Sequence, residues 1–434
     1  MEIISAQGLR NSIQTNGNGQ KVIDLSGKQL SKVPQAVLEV LDVEVLELQR
    51  NVLTDMPSSI SILKCLTEVN LRNNNLKYLP EVIGELQHLT CLCLEGNQLT
   101  VLPTGISQLK NLQRLNIAYN QFQELPPDIF CLDGLVKLNA EENKLTELPN
   151  NIKLLKQLQV LNLSGNKLKE VPWDLKCLEK LTQLHLNSNC FSVFPSSIMY
   201  LVKLQQLLLA HNRLKEVSDD IDHLQELIIL DVSYNKLRAI TARIGNLKNL
   251  VSLNLHCNKL KEVPERMMYL ENVVNLTLHD NELLQLPASV KQMKSLVHLH
   301  VGNNRLTEVP EAIGDLTNLT RLDVSGNQLS ALPSSIKYLR KLEQLRLERN
   351  HFHEIPKDII NLEFLHTLSA SGNPLTRESL AFLLKIRDEG LEVVDVESEY
   401  TDASIILLLK KSSNKLVNLF SSYENFHEHV IMQI

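Results

Sequence analysis

The chain has 434 residues, a net charge of −6 and seven cysteines, with 43% hydrophobic, 22% charged and 4% aromatic residues. The composition is globular rather than disordered, and a mildly acidic chain lacks the basic surplus that a nucleic-acid backbone demands. The odd cysteine count, with no cluster at either end of the chain, argues against disulfide-capped extracellular architecture and suits a reducing compartment.

The front of the chain, Met1-Glu2-Ile3-Ile4-Ser5-Ala6-Gln7, has neither a basic n-region nor an apolar h-region, so no secretory signal is expected. Residues 1–20 read as a short polar flank with Asn16-Gly17-Asn18-Gly19 as a flexible turn or linker. A strict period follows. Asparagine recurs at Asn51, Asn74, Asn97 and every 23rd position to Asn373, fifteen times with no insertion, and Lys28 stands one step earlier. Residues 21–375 are therefore sixteen repeats, the signature of a solenoid in which each unit buries its apolar face against the next.

Within one repeat, Leu112 to Phe122, Leu115 and Ile117 alternate with polar neighbours, so this stretch reads as a short strand buried on one face. The Leu125-Pro126 step then blocks a regular helix, because proline lacks the N–H and restrains its predecessor. The return segment is expected to be extended or a short 3₁₀ turn. The repeated asparagine is expected to satisfy buried backbone groups of its own turn and of the neighbouring repeat, as an amide with two donors and an acceptor can. The predicted architecture is an α/β solenoid, a leucine-rich repeat horseshoe with a parallel concave sheet and extended or 3₁₀ convex segments. With parallel strands about 4.8 Å apart, the concave face would run roughly 70 Å along its arc.

Near the back, Thr376 to Ile386 reads as a helix with a Thr cap, stopped by Gly390, and 391–396 as a last strand; residues 376–396 would close the core. Residues 397–434 leave the repeat. Ile405, Leu408, Leu409, Leu416, Leu419 and Phe420 suggest a tail helix, packed or serving as a docking segment. The aliphatic run Ile405–Leu409 is far short of the roughly 20 residues of a membrane span.

Outward strand positions lie six, four and two residues before each asparagine. Toward the front they carry Glu47, Glu68, Glu95 and Glu141 beside Glu142; toward the back, Arg321 and Arg346, with Arg349 beside them and Arg305 just past a strand. An acidic-to-basic polarised face is expected, and Glu95, Glu141, Glu142, Arg321, Arg346 and Arg349 are candidate partner contacts. Cys91 and Cys93 should point into solvent on this face. His256, His279, His298 and His300 fall on adjacent strands. No cysteine or carboxylate completes a metal set at motif spacing. These histidines read instead as a polar patch gaining charge near pH 6, and His256, His279 and His300 join the candidate contacts. Ser61-Ile62-Leu63-Lys64 matches a short phosphatase-docking pattern but falls where Leu63 must be buried, so coincidence is the reading. The sequons at Asn162, Asn275 and Asn318 read as by-products of the repeat. No nucleophile elbow, P-loop, dinucleotide fingerprint or zinc-protease motif occurs, so neither enzymatic activity nor a cofactor is expected.

The pattern Leu102-Pro103-Thr104-Gly105-Ile106, continuing through Leu109, Leu112, Leu115 and Ile117 to Asn120, resembles the intracellular Ras-group leucine-rich repeat proteins, as does Val309-Pro310-Glu311-Ala312-Ile313 running on to Asn327. The resemblance covers residues 21–375. It implies a non-enzymatic, cytoplasmic scaffold that binds other proteins on its concave face, with a small GTPase or a phosphatase catalytic subunit as the partner class. It implies neither nucleic acid nor a transmembrane segment, and a monomer on its own. Ser218 and Thr241 replace the class proline, and local curvature or a convex contact is expected to differ there. Two other readings compete: a structural component of a cytoskeletal or ciliary assembly, and a regulatory subunit of an enzyme.

Overall fold

The computed structural model describes residues 9, 13–388 and 392–395, without the side chains of 384, 386–388 and 392–395. The expected tail helix at 397–434 lies outside the described residues. The chain forms two compact units, Met1–Leu260 and Lys261–Ile434.

The first unit opens with a hairpin. Strand β1 (Ile13–Thr15) pairs antiparallel with β2 (Lys21–Asp24), covering the first edge of the sheet. Of the two readings of this segment, turn or linker, it is a turn: Asn16 Oδ1 accepts from the backbone N–H of Asn18 at 3.0 Å and of Gln20 at 2.9 Å. Asparagine side chains commonly close turns in this way. From β2 onward the strands are parallel, in chain order, to β12 (Ser252–Asn254), each residue facing the one 23 positions on. The second unit repeats the pattern from β13 (Asn275–Thr277) to β17 (Thr367–Ser369). A helix, α1 (Arg377–Asp388), follows, and β18 (Glu392–Asp395) pairs parallel with β17.

These strands form because only their centre can be buried. Leu92, Leu115 and Leu138 are fully or almost fully buried at the middle of successive three-residue strands, and Leu94, Ile117 and Ala140 fill the next inward position. The return segments are five-residue 3₁₀ turns, as at Thr104–Gln108, entered from Pro103 at φ −67° and ψ 150°. Where Gly84 and Gly105 sit on neighbouring turns, a Cβ on Gly84 would lie 2.2 Å from the Gly105 carbonyl oxygen, so backbones approach there as only glycine allows.

The asparagines form a ladder. Asn97 Nδ2 donates to the carbonyls of Leu94 at 2.9 Å and Leu71 at 3.0 Å, while its Oδ1 accepts from the Leu76 N–H at 3.0 Å. Two of those three partners belong to the preceding repeat, so the amide bolts one layer to the next. Asn327 repeats the scheme in the second unit through Val324, Val301 and Leu306. Lys28, with no repeat before it, is exposed, and its own N–H donates to Asn51 Oδ1.

Three expectations are corrected. Ser218 and Thr241 do not change the return segment: they hold φ −56° and −64°, ψ 141° and 140°, values typical of the prolines elsewhere. Their hydroxyls accept from the N–H two residues on, at 3.2 Å in both cases, replacing proline's fixed φ with a cap. Cys91 does not face solvent freely. It is 9% exposed, because Glu68 and Arg114 on the flanking strands meet above it at 2.9 Å. The histidine patch is not uniformly poised near pH 6, for reasons given below.

Candidate protein-binding face

The residue before each ladder asparagine adopts φ between 49° and 67°, whether or not it is glycine, as Tyr119, Glu142, His211, Tyr234 and Arg349 show. This left-handed bend ends the strand and throws the side chain out beside the sheet. The outward face of each unit is thus a set of strand columns plus an exposed rim of left-handed residues.

At the front of the first unit the carboxylates are engaged. Arg72 holds Glu95 at 2.9 Å, and Arg114 holds Glu68 at 2.9 Å. Asn70 donates to Glu47 at 2.8 Å, Asn116 to Glu95 at 2.9 Å, and Asn162 to Glu141 at 3.0 Å. Asn162, at one of the sequons, is therefore a strand residue with its amide committed to a neighbour. Burial pushes the carboxyls of Glu47 and Glu141 upward, and the charges of Glu142 and Glu95 add to the effect on Glu141. The front of the face is thus an ion-paired, amide-laced lattice, less negative than the glutamates alone suggest. Arginines contributed by neighbouring columns supply the difference.

His256 is 6% exposed and lies edge-on to Tyr234, ring centroids 4.9 Å apart. It supports the face more than it presents itself. Tyr234 and His211 stack at 4.0 Å with an interplanar angle of 13°, and Tyr234 is 46% exposed. Tyr119, another rim residue, is half exposed. Sequence reading missed these aromatics because, at the position just before the asparagine, it took only the charged Glu142 and Arg349. Their signal is their place immediately before the asparagine. The later part of the first unit is also drier than its pattern implies: Gln206 and Leu208 of β10 (Gln206–Leu208) are buried although they alternate outward.

In the second unit, His300 Nδ1 stands 3.9 Å from Asp323, and His279 Nε2 stands 3.8 Å from Asp280. His298 is held down to about 4, first by burial and then by the charges of Arg321 and His300, so it stays neutral at pH 6. Burial opposes ionisation of Asp323, but the neighbouring His300 ring and hydrogen bonds from Ser325 outweigh it and hold its carboxyl below the ordinary value. Arg321 and Arg346 are half-buried, while Arg349 is an exposed rim residue. Arg349 borders a polar hollow with Asn303, Ser325, Gly326, Glu348 and Ser371. Burial raises the Glu348 carboxyl. The basic residues of the back are thus interleaved with carboxylates, as the acidic ones of the front are with arginines.

Away from this face, Trp173 and Tyr200 stand edge to face at 5.2 Å, with Lys176 Nζ 4.4 Å from the indole ring. Ile62 is exposed but Leu63 is fully buried, so Ser61–Lys64 cannot be drawn out as a docking peptide. No helix among the described residues is long and apolar enough to cross a membrane.

Comparison with known proteins agrees with this geometry. The leucine-rich repeat region family matches residues 238–346 and 298–424, and the leucine rich repeat family matches 87–145, 110–168 and 156–214. No curated protein matches the chain. A leucine-rich repeat protein of Leptospira interrogans is similar at 34% identity and a TM-score of 0.84, over 92% of this chain and 99% of that one. The plant peptide hormone receptor RGFR1, solved in complex with RGF2, is similar at 26% identity and a TM-score of 0.66, over 84% of this chain and 68% of that one. InlJ of Listeria monocytogenes, at 22% identity and a TM-score of 0.66 over 80% of this chain and 72% of that one, shares the fold. Built on a 23-residue register, an asparagine ladder and parallel strands, and 34% identical over nearly the whole of the Leptospira protein, the chain belongs to the leucine-rich repeat family.

Proposed function

We propose that this chain is a protein-binding scaffold of the cytoplasmic Ras-group type, which engages its partners on the outward strand face and its left-handed rim. The observation that carries this reading is the rim. Half-exposed Tyr119 stands beside ion-paired columns and the stacked His211–Tyr234 pair beside His256, and exposed aromatic anchors of this kind are what interfaces use. All seven cysteines are free, which supports a reducing compartment. The Leu-Pro-led 3₁₀ returns support the Ras-group assignment, and with it a small GTPase or phosphatase catalytic subunit as partner. The plant receptor's peptide complex supports a polypeptide ligand for this fold.

The test is proximity labelling in cells with the intact chain beside a variant carrying Glu141→Lys, Glu142→Lys, Arg346→Glu and Arg349→Glu, its fold checked by circular dichroism. Loss of specific neighbours, a GTPase or phosphatase among them, is the expected result. An unchanged neighbour list removes the strand face from consideration and turns attention to the surface around Trp173 and Tyr200.

A further inference from the structure

Cys91 and Cys93 occupy the two ends of β5 (Cys91–Cys93) and share its outward side, because residues two apart on a strand point the same way. Their sulfurs lie 3.8 Å apart. Residues two apart on an extended strand place their Cα atoms about 6.6 Å apart, within the span that disulfides occupy but near its upper end. The two thiols are unlike. On the flanking strands, Cys91 is faced by Glu68 and Arg114, and Cys93 by Asn70 and Asn116. The Arg114 guanidinium, on the flanking strand opposite Cys91, favours the Cys91 thiolate. Cys93 is half-buried and faces Glu47 at longer range.

We infer that Cys91 and Cys93 form a hydroperoxide-reactive dithiol, in which Cys91 is the nucleophile and Cys93 the resolving thiol, and that their product is a reversible disulfide within β5. The Cys91 thiolate attacks the O–O bond of the peroxide. An S–O bond forms and the O–O bond breaks, leaving a sulfenic acid while the departing oxygen takes up a proton as alcohol or water. The Cys93 sulfur then attacks the Cys91 sulfur. The S–S bond forms, the S–O bond breaks, and the hydroxide leaves as water with the Cys93 proton. Two thiols have each lost a hydrogen, and one peroxide has been reduced by two electrons.

The surroundings favour this order. The Cys93 thiol hydrogen bond and the Arg114 charge bring Cys91 down to about 6, against the opposing effect of burial, so it is largely thiolate at neutral pH. The hydrogen bond with the Cys91 sulfur, then burial and the Cys91 charge, hold Cys93 up, so it keeps its proton until it is called on. A disulfide near the limit of its span is strained and readily reduced, which is the property of a regulatory bond rather than a structural one. Closing it removes the negative charge that faces Arg114 and leaves the guanidinium to Glu68 alone. The charge pattern of the strand face changes where Glu47, Glu68 and Arg114 meet. This chemistry requires no partner and stands apart from the scaffold reading.

The test uses the reduced full-length chain, treated at pH 7 with hydrogen peroxide in small excess, digested with trypsin and mapped by mass spectrometry. The segment between Lys77 and Lys110 holds both sulfurs and no other cysteine. Loss of two hydrogens from that peptide, ahead of oxidation at the exposed Cys65 and Cys131 and reversed by dithiothreitol, is expected. In Cys93→Ser, dimedone traps a sulfenic acid on Cys91. In Arg114→Gln, iodoacetamide alkylates Cys91 on the order of tenfold more slowly at pH 7. Oxidation of Cys65 or Cys131 first, or an intact dithiol after peroxide, overturns the inference. The wild-type comparison is decisive even if a variant fails to fold.

Discussion

Glu141 and Glu142 are neighbours in sequence with opposite surroundings. Glu142 is an exposed rim residue in the left-handed conformation, whereas Glu141 is half-buried with its carboxyl accepting from Asn162. The raised Glu141 carboxyl has a definite sign in linkage: the folded state holds the proton more tightly than the unfolded one. Its contribution is present below the ordinary carboxylate range and is lost as pH rises through the raised value. Glu141→Gln, which keeps an acceptor for Asn162, is expected to raise the melting temperature at pH 7 by on the order of 1 °C, and to lose that gain on titration to acid. His298 has the opposite pH dependence. With its folded value near 4 against an ordinary 6.5, it contributes stability above pH 6.5 that disappears as pH falls through about 4. Allowing for its partial exposure this amounts to roughly 1–2 kcal/mol. Acid unfolding of the His298→Gln variant should show a flatter limb over that interval, and an unchanged limb would assign the histidine no such role. The identities of these residues were plain in the sequence, but their states were not. A carboxylate's or imidazole's ionisation depends on which side chains arrive from the strands 23 positions away, and single-strand alternation does not show them.

At the level of the element, the asparagine ladder and the return turns make different demands. Asn166 donates to Leu163 and Ala140, each at 3.0 Å, and accepts from Leu145 at 3.0 Å, all buried. Replacing it by Ala strands three backbone groups away from water, and the expected loss is about 3 kcal/mol, measurable by urea denaturation. Lys28→Ala, at the corresponding place in the first repeat, should cost almost nothing, since that side chain is exposed. Ser218 and Thr241 already hold proline's dihedral angles, so Ser218→Pro and Thr241→Pro should be tolerated, each raising stability by up to about 1 kcal/mol through the unfolded chain. A fall in melting temperature for either would mean that the hydroxyl cap contributes more than the fixed φ. Strand position and the proline-led returns were legible from the period alone, because burial of Leu115 and Ile117 permits no other register. The behaviour of Ser218 and Thr241 was not, since a cap and a proline reach the same dihedral angles by unrelated routes. Cys91 was misread for a related reason: alternation gives the side on which a residue lies, but the lengths of Glu68 and Arg114 decide whether water reaches it.

For the molecule as a whole, the face proposed for binding is a mosaic of paired charges rather than two opposed fields. Steering by long-range attraction should therefore be modest, and complex formation should weaken only moderately between low and physiological salt. Titration of a partner recovered by proximity labelling, at two ionic strengths, checks this. A collapse of affinity by several orders of magnitude would point instead to a strongly charged patch. The bonds of the ladder carry a further consequence for how such a chain can change its length. Within both units the asparagines reach to partners 21 and 26 positions behind them, as Asn97 does to Leu76 and Leu71 and Asn327 to Leu306 and Val301. Tandem duplication or excision of a whole period leaves every later rung its partners, whereas a change of any other size puts all the rungs beyond it out of step with those before. Removing residues 121–143, one period of 23, should yield a soluble protein that still melts cooperatively; removing 121–142 should not. A genome can lengthen or shorten such a ruler freely, provided it counts in whole divisions.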